Sequence, residues 1–128
     1  MGEHFFLTVN GVIGEIQSWR PRGCVRELDY RDSLFEKLTT SFPRAPPSKE
    51  YGHGRVKADI AFGTKIAIEL KHDLDTPPKL QRLKGQLDDY AKNFTNTIVV
   101  LTGSPQRDLI KDLKQAAKRF SDIFVVEK

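Results

Sequence analysis

The sequence predicts an α/β fold in which a mixed β-sheet is sandwiched by helices. Three observations carry that expectation. Two short β-type runs, residues 55–62 and 65–71, follow one another through a glycine-containing turn. Segments with helical spacing of apolar residues, 25–41 and 76–94, stand on either side of them. Beyond these lie two further apolar runs, 97–102 and 123–126, separated by a third helical segment. With a hairpin at the start, the order is β-hairpin, α, β, β, α, β, α, β. Such an order suits a sheet covered by helices and not a doubly wound, all-parallel one.

Each element has a local reason. Residues 5–9, then Asn10-Gly11, then residues 12–19 read as a β-hairpin, because Asn-Gly suits a type I′ turn. Pro21-Arg22-Gly23 punctuates its end. Residues 25–41 place Leu28, Leu34, Phe35, Leu38 and Phe42 on one face of a helix that the Pro43 to Pro47 stretch stops. Thr76 is the expected N-cap of the second helix, with Pro77-Pro78 in its first turn and a core stripe of Leu80, Leu83, Leu87, Tyr90, Ala91 and Phe94. Ser104-Pro105 opens the third, running to about Phe120. The chain reads as one domain, 1–128: an N-terminal hairpin extension over 1–22, a core over 25–102, and a C-terminal helix and strand over 103–128.

Composition narrows the classes. At 38% hydrophobic and 30% charged, the chain is of ordinary globular type, and no apolar run approaches the about 20 residues of a membrane span. Residues 5–9 are too short for a signal peptide, and Cys24 has no second cysteine to pair with, so an intracellular, cytoplasmic setting without membrane partners is expected. The net charge of +4 and pI of about 9.3 fit a polyanionic partner, although charge alone is a weak discriminator. His4, His53 and His72 are scattered without zinc spacing, and there is no P-loop, dinucleotide fingerprint or nucleophile elbow.

The central hairpin carries the chemistry. On the second run Ile66, Ile68 and Leu70 share one face and Ala67, Glu69 and Lys71 the other; on the first, Ile60 and Phe62 oppose Asp59 and Ala61. A two-residue Gly63-Thr64 loop would set Asp59 opposite Ile68. A three-residue loop, Phe62-Gly63-Thr64, sets it opposite Ala67 and makes the apolar faces coincide, so hydrophobicity selects that register. Asp59, Glu69 and Lys71 then converge on one face, with Ala61 and Ala67 leaving room. Paired carboxylates repel unless a cation lies between them, and hard oxygen donors suit Mg²⁺, with Mn²⁺ as a substitute. The ammonium of Lys71 could orient or deprotonate the attacking water, or stabilise charge on phosphorus. The bland alternative is a set of solvated charges; Asp112-Leu113-Lys114 repeats the pattern on a predicted helix.

The flanking helices add candidates. Glu27 and Arg31 fall within the apolar sector of the first helix, either as a mutual i,i+4 pair or with Glu27 as a third carboxylate for the metal. Lys79, Arg82 and Gln86 line one edge of the second, either as phosphate contacts or as a snorkelling border. Tyr90 reads first as core.

These residues together resemble the PD-(D/E)XK nuclease superfamily, with its restriction-endonuclease-like fold. Asp59 matches the family's acidic residue, Glu69-Leu70-Lys71 its (D/E)-x-K motif and Glu27 its helix-borne glutamate. Gln86-Leu87-Asp88-Asp89-Tyr90 resembles the Q-x-x-x-Y motif of the RecB-like branch. Ala58 stands where the motif has proline, and the first core strand, near 49–51 with Glu50, is weakly marked. The resemblance, spanning about 27–102, implies an αβββαβ core and Mg²⁺-dependent cleavage of DNA. It makes Asp59, Glu69 and Glu27 metal ligands, Lys71 and Gln86 catalytic supports, and Lys79, Arg82 and Tyr90 nucleic-acid contacts. No element for base-specific readout is evident, so structure or strand ends are the expected targets, and a homodimer is one way for so small a domain to address a duplex. The rivals are a non-catalytic nucleic-acid-binding module and a partner-docking subunit that keeps the fold.

Overall fold

A computed structural model describes residues 7–53 and 56–128. Its elements run α1 (Val9–Ser18), α2 (Glu27–Ser41), β1 (Ser48–His53), β2 (Val56–Phe62), β3 (Ile66–His72), α3 (Pro77–Asn93), β4 (Asn96–Thr102), α4 (Arg107–Ala117) and β5 (Ile123–Glu127). The strands form a five-stranded sheet in the order β1-β2-β3-β4-β5. The first three are antiparallel neighbours, and β3, β4 and β5 run parallel. The result is an α/β fold with a mixed sheet and helices on both faces.

One face is covered by α1 and α2. Val12, Ile16, Trp19, Leu34, Leu38 and Phe42 pack there on Ile60, Phe62, Ile68, Leu70, Ile98 and Val100. The other face carries α3 and α4, whose Leu80, Leu83, Leu87, Ile110 and Leu113 pack on Val99, Leu101 and Ile123. A smaller cluster joins Tyr90 and Phe94 of α3 to Ala58, Ala61 and Ala67 of the sheet. The alanines let the helix sit close, where larger side chains would hold it off.

The expected N-terminal hairpin is not formed. Residues 9–18 are a helix, so Asn10-Gly11 lies in its first turn; Phe5 and Phe6 of the expected first strand lie outside the described residues. The cause is local. Thr8 caps the helix, its Oγ1 accepting the Gly11 N–H at 2.9 Å, and Val12, Ile16 and Trp19 recur at helical spacing and are buried.

The other expected elements are present, with shifted ends. The third helix begins after Gln106 and not at Ser104. Leu28 departs from its expected core position and is 52% exposed, at the edge of a small cleft that it lines with Glu27, Arg31 and Asp59. Arg55, the start of the expected second strand, lies outside the described residues.

Candidate active site

The site forms where the sheet splits. β2 and β3 pair from Phe62↔Ile66 to Ile60↔Ile68, whereas β3 stays paired to β4 through His72↔Thr102. The connecting loop is Gly63-Thr64-Lys65, closed by the Lys65 N–H to the Phe62 carbonyl at 3.1 Å, with Gly63 at φ +57°. A Cβ there would strain the backbone. The loop has the expected three residues but is displaced by one. Ala61 therefore pairs with Ala67, and continuing the ladder brings Asp59 level with Glu69 and not with Ala67. The face assignment survives because a two-step slip preserves parity.

At Asp59 the backbone ladder gives way to a side chain. Its Oδ2 accepts the Leu70 N–H at 2.8 Å, so the carboxylate lies between the parting strands. Alternation is disturbed here: Ala58 joins the same cluster as Ala61, and Glu50, at the level of Asp59 on β1, holds a left-handed φ of +50°. Burial, followed by repulsion from Glu69 and Glu27, raises the Asp59 pKa to about 7, against the opposing Leu70 bond and Lys71.

Glu69 is 4% exposed, and both its oxygens are engaged. The Tyr90 hydroxyl donates to Oε1 at 2.5 Å, and the Lys71 ammonium lies 3.1 Å from Oε2. Tyr90, 1% exposed, is thus a clamp on Glu69 and not a surface that could touch nucleic acid, and its placement corrects that expectation. Burial and then the Glu69 charge push the phenol well above its ordinary pKa, so it stays a donor. Burial opposes the Lys71 charge, but Glu69, with Glu27 and Asp59 beyond it, carries its pKa above the ordinary value. Lys71 is therefore a cation at neutral pH, which argues against its taking a proton from water.

Glu27 arrives from the first position of α2. Its Oε1 accepts the His72 N–H at 2.9 Å, tying the helix start to the end of β3. The expected pair with Arg31 does not form; Arg31 instead meets Asp32 and Glu50, each at 3.3 Å. Glu27 stands between two clefts. One, of about 280 Å³, is lined by Glu27, Lys71, His72, Leu74, Lys79 and Arg82. The other, of about 70 Å³, is lined by Glu27, Leu28, Arg31 and Asp59.

The remaining candidates differ in fate. Gln86 lies one turn before Tyr90 on α3, and its buried Oε1 has no hydrogen-bond partner. Lys79 binds the Asp73 carbonyl at 3.1 Å and Asp75 Oδ1 at 2.8 Å, so it ties down the loop before α3 while lining the cleft. Arg82 lines the same cleft and has no ion pair among the described residues. Glu50 is a surface group held by Lys57 and Arg31. The repeat at Asp112 and Lys114 is spread over exposed pairs with Lys84 and Glu127. His72, one of the scattered histidines without zinc spacing, also belongs to the site. Its ring stacks on Tyr30 with centroids 4.5 Å apart, its Nδ1 lies 3.0 Å from Thr102 Oγ1, and it lines the larger cleft. Its place after Lys71, at the open end of a parallel strand, is the signal that points there.

Among the described residues, no group of three or more His, Cys, Asp or Glu side chains stands gathered as a ready cation cage. The donor chemistry nevertheless fits Mg²⁺, which takes one or two carboxylates and fills its sphere with water and phosphate. Asp59 and Glu69 supply hard oxygens whose mutual repulsion such an ion would relieve. No family model, curated protein or solved structure matches the chain.

Proposed function

We propose that the protein is a metal-dependent nuclease that hydrolyses phosphodiester bonds in DNA, directed by structure or strand ends and not by base sequence. The observation that carries the reading is the clamped Glu69, held by Tyr90 on one oxygen and Lys71 on the other, beside Asp59 at the split of the sheet. Idle surface charges would not be buried and held in this way.

Asp59 and Glu69 would hold Mg²⁺ or Mn²⁺, with Glu27 at the rim. When bound, such a cation supplies Lewis-acid polarisation of the phosphodiester and neutralises its charge. Lys71, kept protonated, stabilises the negative charge that builds on phosphorus as water adds and the ester oxygen leaves. Tyr90 keeps Glu69 in one orientation. The unpartnered Gln86 acceptor, on the turn before Tyr90, has bonding capacity left for a water or a substrate hydroxyl. Arg82 and Lys79 give the larger cleft the positive charge that a phosphate backbone requires.

The test is incubation with linear, circular, single-stranded, flap and four-way-junction DNA in Mg²⁺ or Mn²⁺. Cleavage of at least one substrate is expected, with none in EDTA. DNA that is bound but never cut with either metal would overturn the enzyme and favour a binding module.

A further inference from the structure

We propose that Val25 and Leu28, at the start of α2, form an apolar wedge for unstacked bases, so that the site takes single strands, frayed ends or junction strands in preference to uninterrupted duplex. The proposal rests on the nuclease reading of Asp59, Glu69 and Lys71.

Among the described residues these are the large apolar side chains left exposed, Val25 by 74% and Leu28 by 52%. A scattered surface leucine needs no explanation, but this one is not scattered. Leu28 lines the small cleft together with Glu27, Arg31 and Asp59, so its side chain borders the space beside the candidate carboxylates. The pair is also held firmly. Asp29 Oδ2 accepts the N–H of Val25 at 3.1 Å and of Arg26 at 2.9 Å, which locks the approach to the helix against its first turn.

The surroundings select the occupant. Arg22 precedes the pair in sequence, and Arg26 stands between its two members, where its charge acts on Asp29. On the far side of Glu27 the larger cleft presents Lys71, Lys79 and Arg82. Arg31 in the small cleft and the cations of the larger one attract a phosphate backbone and repel a second copy of this basic chain. Two side chains also fall far short of the roughly 800 Å² per partner of a stable protein interface. A polynucleotide meets both features at once, with its backbone in the basic cleft and a base turned against the apolar pair. Leucine is among the side chains that insert between base steps, and the cost of unstacking is least where the base is already unpaired.

The experiment uses a forked DNA with 2-aminopurine at its first base pair, bound in Ca²⁺, with fluorescence read for unstacking and anisotropy for binding. The wild type is expected to raise the fluorescence on binding and to prefer the fork over blunt duplex. The double variant Val25→Ser/Leu28→Ser, altered only at exposed positions, should lose the rise and reduce that preference by roughly tenfold. Leu28→Met should retain the rise. An equal rise in the double variant, or equal affinity of the wild type for fork and duplex, would overturn the wedge. A wild-type dimer that the double variant dissociates, with unstacking unchanged, would also overturn it and make the patch a self-interface. Parallel cleavage in Mg²⁺ separates the two readings. Unstacking lost in the double variant, with no cleavage by any form, supports the wedge and sinks the nuclease; cleavage indifferent to the pair does the reverse. Failure to bind any nucleic acid sinks both.

Discussion

Asp59 shows how a single residue ties the site to stability. Its pKa rises from 3.8 to about 7, through burial first and the charge of Glu69 second. In the unfolded chain it loses its proton near pH 4, so between about pH 4 and 7 the folded protein binds more protons than the unfolded one. The stability that neutral Asp59 contributes is thus present at low pH and lost as pH rises through 7. Asp59→Asn, which can still accept the Leu70 N–H, removes that slope. In denaturant titrations it should match the wild type near pH 4 and exceed it by about 1–3 kcal/mol at pH 8, and Mg²⁺ should stabilise the wild type at pH 8 more than the variant. A variant weaker than wild type at pH 8 would mean that the ionised carboxylate holds structure. The residues of this site were legible as types: Asp59, Glu69 and Lys71 are where strand patterning pointed. Less legible were their partners. The Tyr90 clamp joins a helix to a strand, and the Glu27 bond to the end of β3 spans 45 residues, a contact that depends on tertiary packing beyond local spacing.

Among the elements, the split between β2 and β3 does most to make the site. The strands separate beyond Ile60↔Ile68 while α3 lies close over Ala58, Ala61 and Ala67, which brings the Tyr90 hydroxyl to Glu69. Small side chains under the helix are therefore what lets the Tyr90 hydroxyl reach Glu69. Ala67→Leu should overpack this layer, costing about 1–3 kcal/mol in denaturant melts, and should lower cleavage by more than the lost folded fraction explains. Normal activity in a folded Ala67→Leu protein would show that the close approach of α3 is dispensable. The N-terminal segment illustrates a limit on reading elements locally. Asn10-Gly11 is a strong turn signal, but Val12, Ile16 and Trp19 carry a helical period, and burial against α2 and the sheet decides for the helix. The hairpin loop was misread by one residue for a related reason. Parity selects the face, and both registers of equal parity satisfy it.

In the whole molecule, helices on both faces of a mixed sheet bring the starts of α2 and α3 to the same end of β3. That juxtaposition puts Glu27, Lys79 and Arg82 around one cleft with Lys71. The layered arrangement was legible because most of the helical and apolar runs are long and well punctuated. The opening of the cleft was not, since it depends on where two strands stop pairing. Whether the buried Glu69 charge serves metal-assisted hydrolysis is decided by single-turnover DNA cleavage in Mg²⁺ by wild type and Glu69→Gln, with folding matched by circular dichroism. Glutamine keeps the side chain's volume and an oxygen for the Tyr90 hydroxyl but removes the charge. Cleavage by the wild type and a fall to background in Glu69→Gln are expected; wild-type cleavage rates in the folded variant would show that hydrolysis does not use the Glu69 charge.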